Sequence, residues 1–321
     1  MNRILFASTP LPEAEVVNAL NVQNGNDAEI LVASMLISAL NAEVKWGSRN
    51  EDGGKIDLLL SFDHPWESRD RTLLMVQVKS GASYGQTTTE GFKLYKRTFV
   101  EVNRSINNIM LIWLDQHTAE CWWAYIRAGQ NAKITNYGAN HLVTPAVRFE
   151  IARYMATGYT ANTSGAKGII IDTLGRTTPI KELRAVVKPR YRGIGTVKNP
   201  LVGEIAFTKL GWTYMFRESR RKTYKKQSSI LIPYLKTLIK RIPSKYWVHS
   251  YKTYQREDFE FRQYEYVFQY LNVITNTGVR LKIIVRIIEE TGYPKNWRAE
   301  TLLSQKIVRK VVFKSCHYKV M

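Results

Sequence analysis

Apolar positions along the first half of the chain change period several times, and each change marks an element. From Asn26 to Asn41, Val32, Ala33, Leu36 and Leu40 recur at helical spacing, with Asn26 placed to cap the first turn. A short strand is expected near Val44–Trp46, then a turn at Glu51-Asp52-Gly53-Gly54. Lys55–Phe62 alternates: Ile56, Leu58, Leu60 and Phe62 on one face, Lys55, Asp57, Leu59 and Ser61 on the other. Residues 63–71 form a polar hairpin loop, and Leu73–Ser80 is a second strand that puts Leu74, Val76 and Val78 opposite Gln77 and Lys79. Gly81–Gly91 reads as a Gly/Thr-rich loop and 92–104 as a helix. Ile109–Leu114 and Cys121–Ile126 read as strands and Ala146–Ala156 as a helix.

Gly158–Gly168 is small, polar and weakly periodic, the composition of a linker. Beyond it, Leu201–Phe207 and Trp212–Phe216 read as short strands, and Ser219–Lys226 is a basic run leading into a helix over Ser228–Arg241. Four strands are then expected, at Tyr246–Tyr254, Glu260–Ile274, Val279–Ile288 and Lys306–Lys314. The reading is an α/β N-terminal domain over 1–157, a linker over 158–168, and an α+β domain over 169–321 built on an antiparallel meander.

Composition changes this picture in one respect. Apolar content (45%) and charged content (23%) over 321 residues are those of ordinary globular domains, which excludes a disordered or collagenous chain. The charge is uneven. Residues 1–160 carry 15 Lys/Arg and 16 Asp/Glu, a net of −1, whereas 161–321 carry 32 and 11, a net of +21. An excess of that size confined to one half calls for a polyanionic partner, nucleic acid before membrane. Cys121 and Cys316 stand far apart with no CxxC, so neither a disulfide framework nor a zinc site of usual spacing is available. The Ile30–Ala42 stretch is too short and too interrupted to span a bilayer, and the expected location is cytoplasmic.

Four residues carry candidate chemistry: Glu29, Asp57, Gln77 and Lys79. Gln77 and Lys79 share a strand face, a hairpin brings Asp57 beside Gln77, and Glu29 lies on the sheet-facing side of the first helix. Two carboxylates, an amide oxygen and a lysine suit metal-assisted phosphodiester hydrolysis. Mg²⁺ (or Mn²⁺) takes hard oxygen ligands, here Asp57, Gln77 and Glu29, and polarises the phosphate. Lys79 positions water or neutralises charge developing on phosphorus. Each residue also has an ordinary reading. Glu29 completes a capping box with Asn26, Asp57 pairs with Lys55 or Lys79, Gln77 is an exposed strand residue, and Lys79 is a solvated edge lysine. His64 and His117 read as surface histidines.

The segments Gly25-Asn26-Asp27-Ala28-Glu29, Gly54-Lys55-Ile56-Asp57 and Val76-Gln77-Val78-Lys79-Ser80-Gly81 resemble the PD-(D/E)xK restriction-endonuclease-like superfamily. They are most similar to its branch with Gln in place of the middle Glu, as in Mrr-type restriction enzymes and nuclease domains of bacterial anti-phage systems. Over roughly residues 20–155 the resemblance implies a restriction-endonuclease-like αβββαβ core that binds Mg²⁺ and cuts DNA. It further implies a role in restriction or phage defence alongside partner proteins, and by analogy a homodimer, because duplex cutting uses two active sites. Gln77 leaves the site one negative charge short, which favours a single metal.

The basic half interleaves cations with aromatics, as in Arg190-Tyr191-Arg192, Arg217–Lys226 and Lys245–Lys252. Arg190, Arg192, Arg220, Arg221, Lys222, Lys225, Lys226 and Lys252 are the candidate phosphate contacts, acting by counterion release, with DNA preferred over RNA. Aromatic faces can stack on unpaired bases. Two alternatives remain open: a nuclease-like fold that binds or senses nucleic acid without cutting, and an RNase toxin centred on residues 161–321. The latter rests on a faint resemblance to RelE and barnase/colicin-type toxins, with His249 and Arg286 as the residues to test.

Overall fold

The computed structural model describes residues 13–47, 56–67, 70–102, 106–129, 135–157, 168–172, 178–300, 303 and 306–321. It is a mixed α/β protein with several sheets and a strand-rich C-terminal region. The chain divides into two units, one of Met1–Asp63 with Arg71–Val147 and the other of His64–Asp70 with Arg148–Met321. The division falls between Val147 and Arg148, ahead of the Gly158–Gly168 stretch, of which 158–167 lie outside the described residues.

In the first unit, helix α1 (Glu13–Leu40) buries Ala28, Val32, Leu36 and Leu40, a stripe of period four along one face. The helix starts well before Asn26, so Asn26 lies inside it and the capping-box reading of Asn26 and Glu29 does not hold. The following strands are β1 (Glu43–Trp46), β2 (Leu58–Asp63) and β3 (Arg71–Ser80). The turn expected at 51–54, and Lys55, lie outside the described residues. The stretch read as a Gly/Thr-rich loop contains a hairpin, β4 (Gly85–Thr88) and β5 (Gly91–Leu94). Then come helix α2 (Lys96–Val102) and strands β6 (Ile109–Asp115), β7 (Glu120–Ile126) and β8 (Asn136–Gly138).

The main sheet of this unit runs β1-β2-β3-β6-β7, antiparallel throughout except for the parallel β3–β6 pair. Its two faces are both covered. Val76 pairs with Leu58 and Met110, and this row faces α1: Cys121, paired with Leu114, contacts Met35 of α1 through sulfur at 3.4 Å. On the opposite face, Ile109, Leu111, Trp113 and Trp122 pack against Phe92 and Leu94 of β5 and Phe99 and Val102 of α2. A strand covered on both sides needs no polar face, which is why β6 reads Ile-Met-Leu-Ile-Trp-Leu.

The second unit holds helix α3 (Val147–Thr157, all but its first residue), β9 (Ile169–Ile171), α4 (Ile180–Arg192), β10 (Thr196–Asn199) and β11 (Gly203–Ala206). Three helices follow, α5 (Lys209–Phe216), α6 (Lys222–Leu231) and α7 (Leu235–Ile239), so Trp212–Phe216 is helical rather than a strand. The unit ends in a long meander of β12 (Lys245–Arg256), β13 (Phe259–Thr275), β14 (Arg280–Pro294) and β15 (Val308–Val320). The sheet order is β10-β11-β15-β14-β13-β12, with β9 parallel to the far end of β13. One face carries the apolar core, in which Ile283, Val285, Ile287, Phe313 and Cys316 meet Met215, Leu231, Leu235 and Leu238 from the helices.

Toward the Gly292 end of β14, the same face of the meander holds a buried ionic network. Glu289 accepts hydrogen bonds from Arg153 and from Arg309 (2.7 Å), and Glu150 accepts one from the Tyr264 hydroxyl at 2.8 Å with Arg262 at 3.8 Å. Burial pushes the Glu150 carboxyl up to about 7, against the pull of Arg262 and Tyr264. Burial acts the same way on Glu289, but Arg153 and Arg309 outweigh it and hold that carboxyl below the ordinary range. Such a network fixes which helix face meets which strands, because removing any one partner strands a charge in the interior. Among the described residues, no helix is long and apolar enough to cross a membrane.

Candidate functional site

A cleft of about 570 Å³ opens in the first unit where α1 passes the ends of β2 and β3. Glu29 reaches it from α1, Asp57 from the residue before β2, and Lys79 from the end of β3. Three of the four residues singled out in the sequence therefore line one cleft. Asp57 is positioned by the ladder itself: its N–H donates to the Val76 carbonyl at 2.9 Å, and its Oδ2 accepts from the Val78 N–H at 2.5 Å. The carboxylate thus stands where a strand carbonyl would, which fixes it at the end of the β2–β3 pair. Lys79 is half-buried, and its ammonium lies 5.5 Å from the centre of the Tyr84 ring, a cation–π distance that holds the long side chain over the floor of the cleft.

Behind Lys79 the backbone turns sharply. Gly81 adopts φ +86°, a left-handed conformation that favours glycine, and a Cβ there would meet Gln116 Oε1 at 3.2 Å. The turn is held by Gly81 N–H to the Leu114 carbonyl (3.1 Å), Trp113 Nε1–H to the Gly81 carbonyl (2.9 Å) and Gln116 Nε2 to Ser80 Oγ (2.8 Å). The Ser80-Gly81 pair therefore bends the chain out of β3 and leaves room beside Lys79.

Gln77 departs from the sequence reading. It is only 2% exposed and lies beneath the surface, not on the cleft wall. The register puts it opposite Leu111 on the face under the β4–β5 hairpin, one residue beyond the Leu58–Val76 pair and so beside Asp57. Its Oε1 is buried with no hydrogen-bond partner, an arrangement costly enough to call for an explanation. Among the described residues no cluster of three or more His, Cys, Asp or Glu side chains is placed to hold a metal.

The candidate phosphate contacts of the second half fall in three places. Arg190 and Arg192 are exposed on the last turn of α4, and Lys252 is exposed on β12 over the Tyr254 ring at 5.4 Å. Arg221 and Lys222 are exposed at the start of α6, and Lys225 and Lys226 are half-buried on it, with Lys225 Nζ donating to the Glu218 carbonyl at 3.2 Å. Arg220 is half-buried and donates to the Cys316 carbonyl at 2.8 Å. Arg286 also lines the cleft that Arg220 enters, together with Lys314, His317 and Lys319. His249, by contrast, sits exposed at a bulge in β12, two strands from Arg286. The polar positions of β15 gave no hint of this gathering in the sequence, because their partners come from a helix turn about 100 residues earlier. His117 is exposed, and His64 is half-buried, its Nδ1 accepting from the backbone N–H groups of Trp66 and Glu67.

No protein-family model, curated protein or solved structure matches the chain.

Proposed function

We propose that the protein is a metal-dependent endonuclease that hydrolyses DNA phosphodiester bonds at the Glu29–Asp57–Lys79 cleft, with the basic second half gripping nucleic acid. The observation that carries this reading is the meeting of Glu29, Asp57 and Lys79 on one cleft with the unpartnered Gln77 Oε1 beside Asp57. Asp57 and Glu29 would be cleft ligands of a divalent cation, and Gln77, whose buried Oε1 has no hydrogen-bond partner, would join them from the register position beside Asp57. Bound Mg²⁺ supplies Lewis-acid polarisation of the phosphate and lowers the pKa of water. Asp57 is held rigid by Val78 N–H, so it orients what it binds without reorganisation. Lys79, steadied by Tyr84, places a positive charge where the pentavalent phosphorus would develop negative charge.

The element order supports the same reading. Helix α1, strands β1, β2 and β3, helix α2 and strand β6, with β6 returning parallel to β3, follow the αβββαβ order that the PD-(D/E)xK resemblance implies once the β4–β5 hairpin between β3 and α2 is set aside as an insertion. A place in restriction or phage defence follows from that resemblance alone.

The test is plasmid cleavage by the wild-type protein beside Lys79→Ala, with Mg²⁺, Mn²⁺ and EDTA. The expected result is cutting that requires metal and falls by about 10²-fold or more in the variant. Equal behaviour of the two proteins, or cutting in EDTA, overturns the proposal. Salt-sensitive DNA binding without cutting under all conditions would favour the non-cleaving reading.

A further inference from the structure

The second unit contains a cleft of about 440 Å³ whose lining is almost wholly cationic and aromatic: Tyr214 and Arg217 at the end of α5, Arg220 and Tyr224 at the start of α6, Arg286 on β14, and Lys314, Ser315, His317 and Lys319 on β15. We propose that this cleft binds the terminal phosphate of a nucleotide, either free or at the 5′ end of a strand. The inference stands apart from the cleavage reading, since it uses none of the residues of the first unit.

The backbone builds the site in two ways. First, β11 meets β15 at Ala206–Val312 alone, so the edge of β15 beyond Phe313 is covered by side chains. Arg220 Nη2 (2.8 Å) and Ser228 Oγ (2.5 Å) both donate to the Cys316 carbonyl on that edge, which draws the α5–α6 turn alongside the strand. Second, the β14–β15 register slips between Arg286 and Ile287. Ser315 pairs with Arg286 and Phe313 with Ile287, so Lys314 is the extra residue of a bulge. A bulge re-aims the side chain it carries. Lys314 thereby joins Ser315, His317 and Lys319, which share a face by alternation, instead of pointing away from them.

The charge count sets the ligand. Five permanent cations, Arg217, Arg220, Arg286, Lys314 and Lys319, line the cleft. Glu265 answers two of them, accepting from Arg286 at 2.9 Å and from Lys314 at 2.5 Å. Burial would raise that carboxyl, but Lys314 and Arg286 hold it below the ordinary range, so it remains an anion. His317 adds no charge near neutrality, because burial and the surrounding Arg220, Arg286 and Lys319 push its pKa down to about 4. A strand passing through contributes one negative charge per internal phosphate, whereas a terminal phosphate or polyphosphate concentrates two or more on a single group. Only the latter matches several cations converging on a volume at the small end of ligand sites. Arginine forks are the side chains best shaped for bidentate phosphate oxygens. Tyr214 and Tyr224 supply aromatic faces beside them for a base. Tyr214 lies 4.9 Å from Lys314 Nζ and 5.6 Å from the Arg217 guanidinium, and Tyr224 meets the His317 ring edge-on at 5.0 Å.

The experiment is calorimetric titration of the full chain in EDTA, using inorganic pyrophosphate, ATP, and a short oligothymidylate carrying either a 5′ phosphate or a 5′ hydroxyl. Arg217 and Lys319 are exposed, and the double variant Arg217→Ala/Lys319→Ala is checked for an unchanged thermal transition. The proposal expects pyrophosphate and ATP to bind the wild type and the double variant to bind them about tenfold or more weakly. Tighter binding of the 5′-phosphorylated strand than of ATP identifies a strand end as the source, and the reverse identifies a free nucleotide. Lys79→Ala should bind as the wild type does, which keeps a failure of cleavage separate from a failure here. Equal binding of the 5′-phosphate and 5′-hydroxyl strands together with no ATP or pyrophosphate binding overturns the proposal, as does equal affinity in the double variant.

Discussion

Glu150 and Gln77 are both buried polar residues whose roles depend on what lies within a few ångströms. Glu150 sits against Arg262 and the Tyr264 hydroxyl, and its pKa is raised to about 7, chiefly by burial. A carboxyl whose folded pKa exceeds its unfolded value stabilises the fold most below about pH 4.5, and that contribution is lost as pH rises through 7. Glu150→Gln removes the titration while keeping an acceptor for Tyr264. Thermal melts from pH 5 to 8 should therefore show the variant gaining on the wild type as pH rises; a difference independent of pH would mean that Glu150 is charged throughout. At this scale the sequence was readable where chemistry follows strand parity. Asp57 and Lys79 could be placed beside one site by alternation alone. That Gln77 is submerged could not be read, because the β4–β5 hairpin that covers its face is itself hidden in a run of Gly, Gln and Thr.

Elements with strong alternation emerged from sequence nearly intact, and those whose shape is imposed by neighbours did not. β13 and β14 were legible because apolar and polar residues alternate along them, although both run longer than expected. Helix α5 was misread as a strand since Trp212, Tyr214 and Phe216 favour β structure locally. What makes it a helix is packing: the Trp212 ring lies tilted against Phe216 at 4.3 Å and against Tyr191 at 5.5 Å, and Gly211 lies so close to Phe313 that a Cβ would meet its carbonyl at 2.5 Å. Helix α4, which carries Pro189 in its last turn, is not among the elements expected from the sequence. The β13–β14 ladder offers a test at this scale. Gly292 pairs with Phe261, whose ring lies flat enough over it that a Cβ would come within 2.4 Å of Cε1. Phe261 is hemmed in by Tyr254 at 5.4 Å and by Arg256 at 4.5 Å, so it has little room to yield. Gly292→Ala should cost about 1–3 kcal/mol in chemical denaturation; a loss well under that would mean the ring moves freely.

Across the whole molecule, the division of charge remains the most informative property of the sequence, and the fold gives it two destinations. The near-neutral half carries the carboxylate cleft, and the half with net +21 carries the basic one. The parallel pairing of β3 with β6 has a kinetic consequence. In the second unit, β12, β13 and β14 are joined by direct hairpins and can zip from their turns, at little cost in loop closure. In the first unit, β6 can reach β3 only after residues 81–108 have been looped back, and Gly81 and Gln116, which shape one wall of the carboxylate cleft, depend on that pairing. Long-range parallel contacts form slowly. On refolding from denaturant, amide protection in β13 and β14 should precede protection in β6. A chain caught partway would present the ordered basic strands of the second unit while the carboxylate cleft of the first was still unmade.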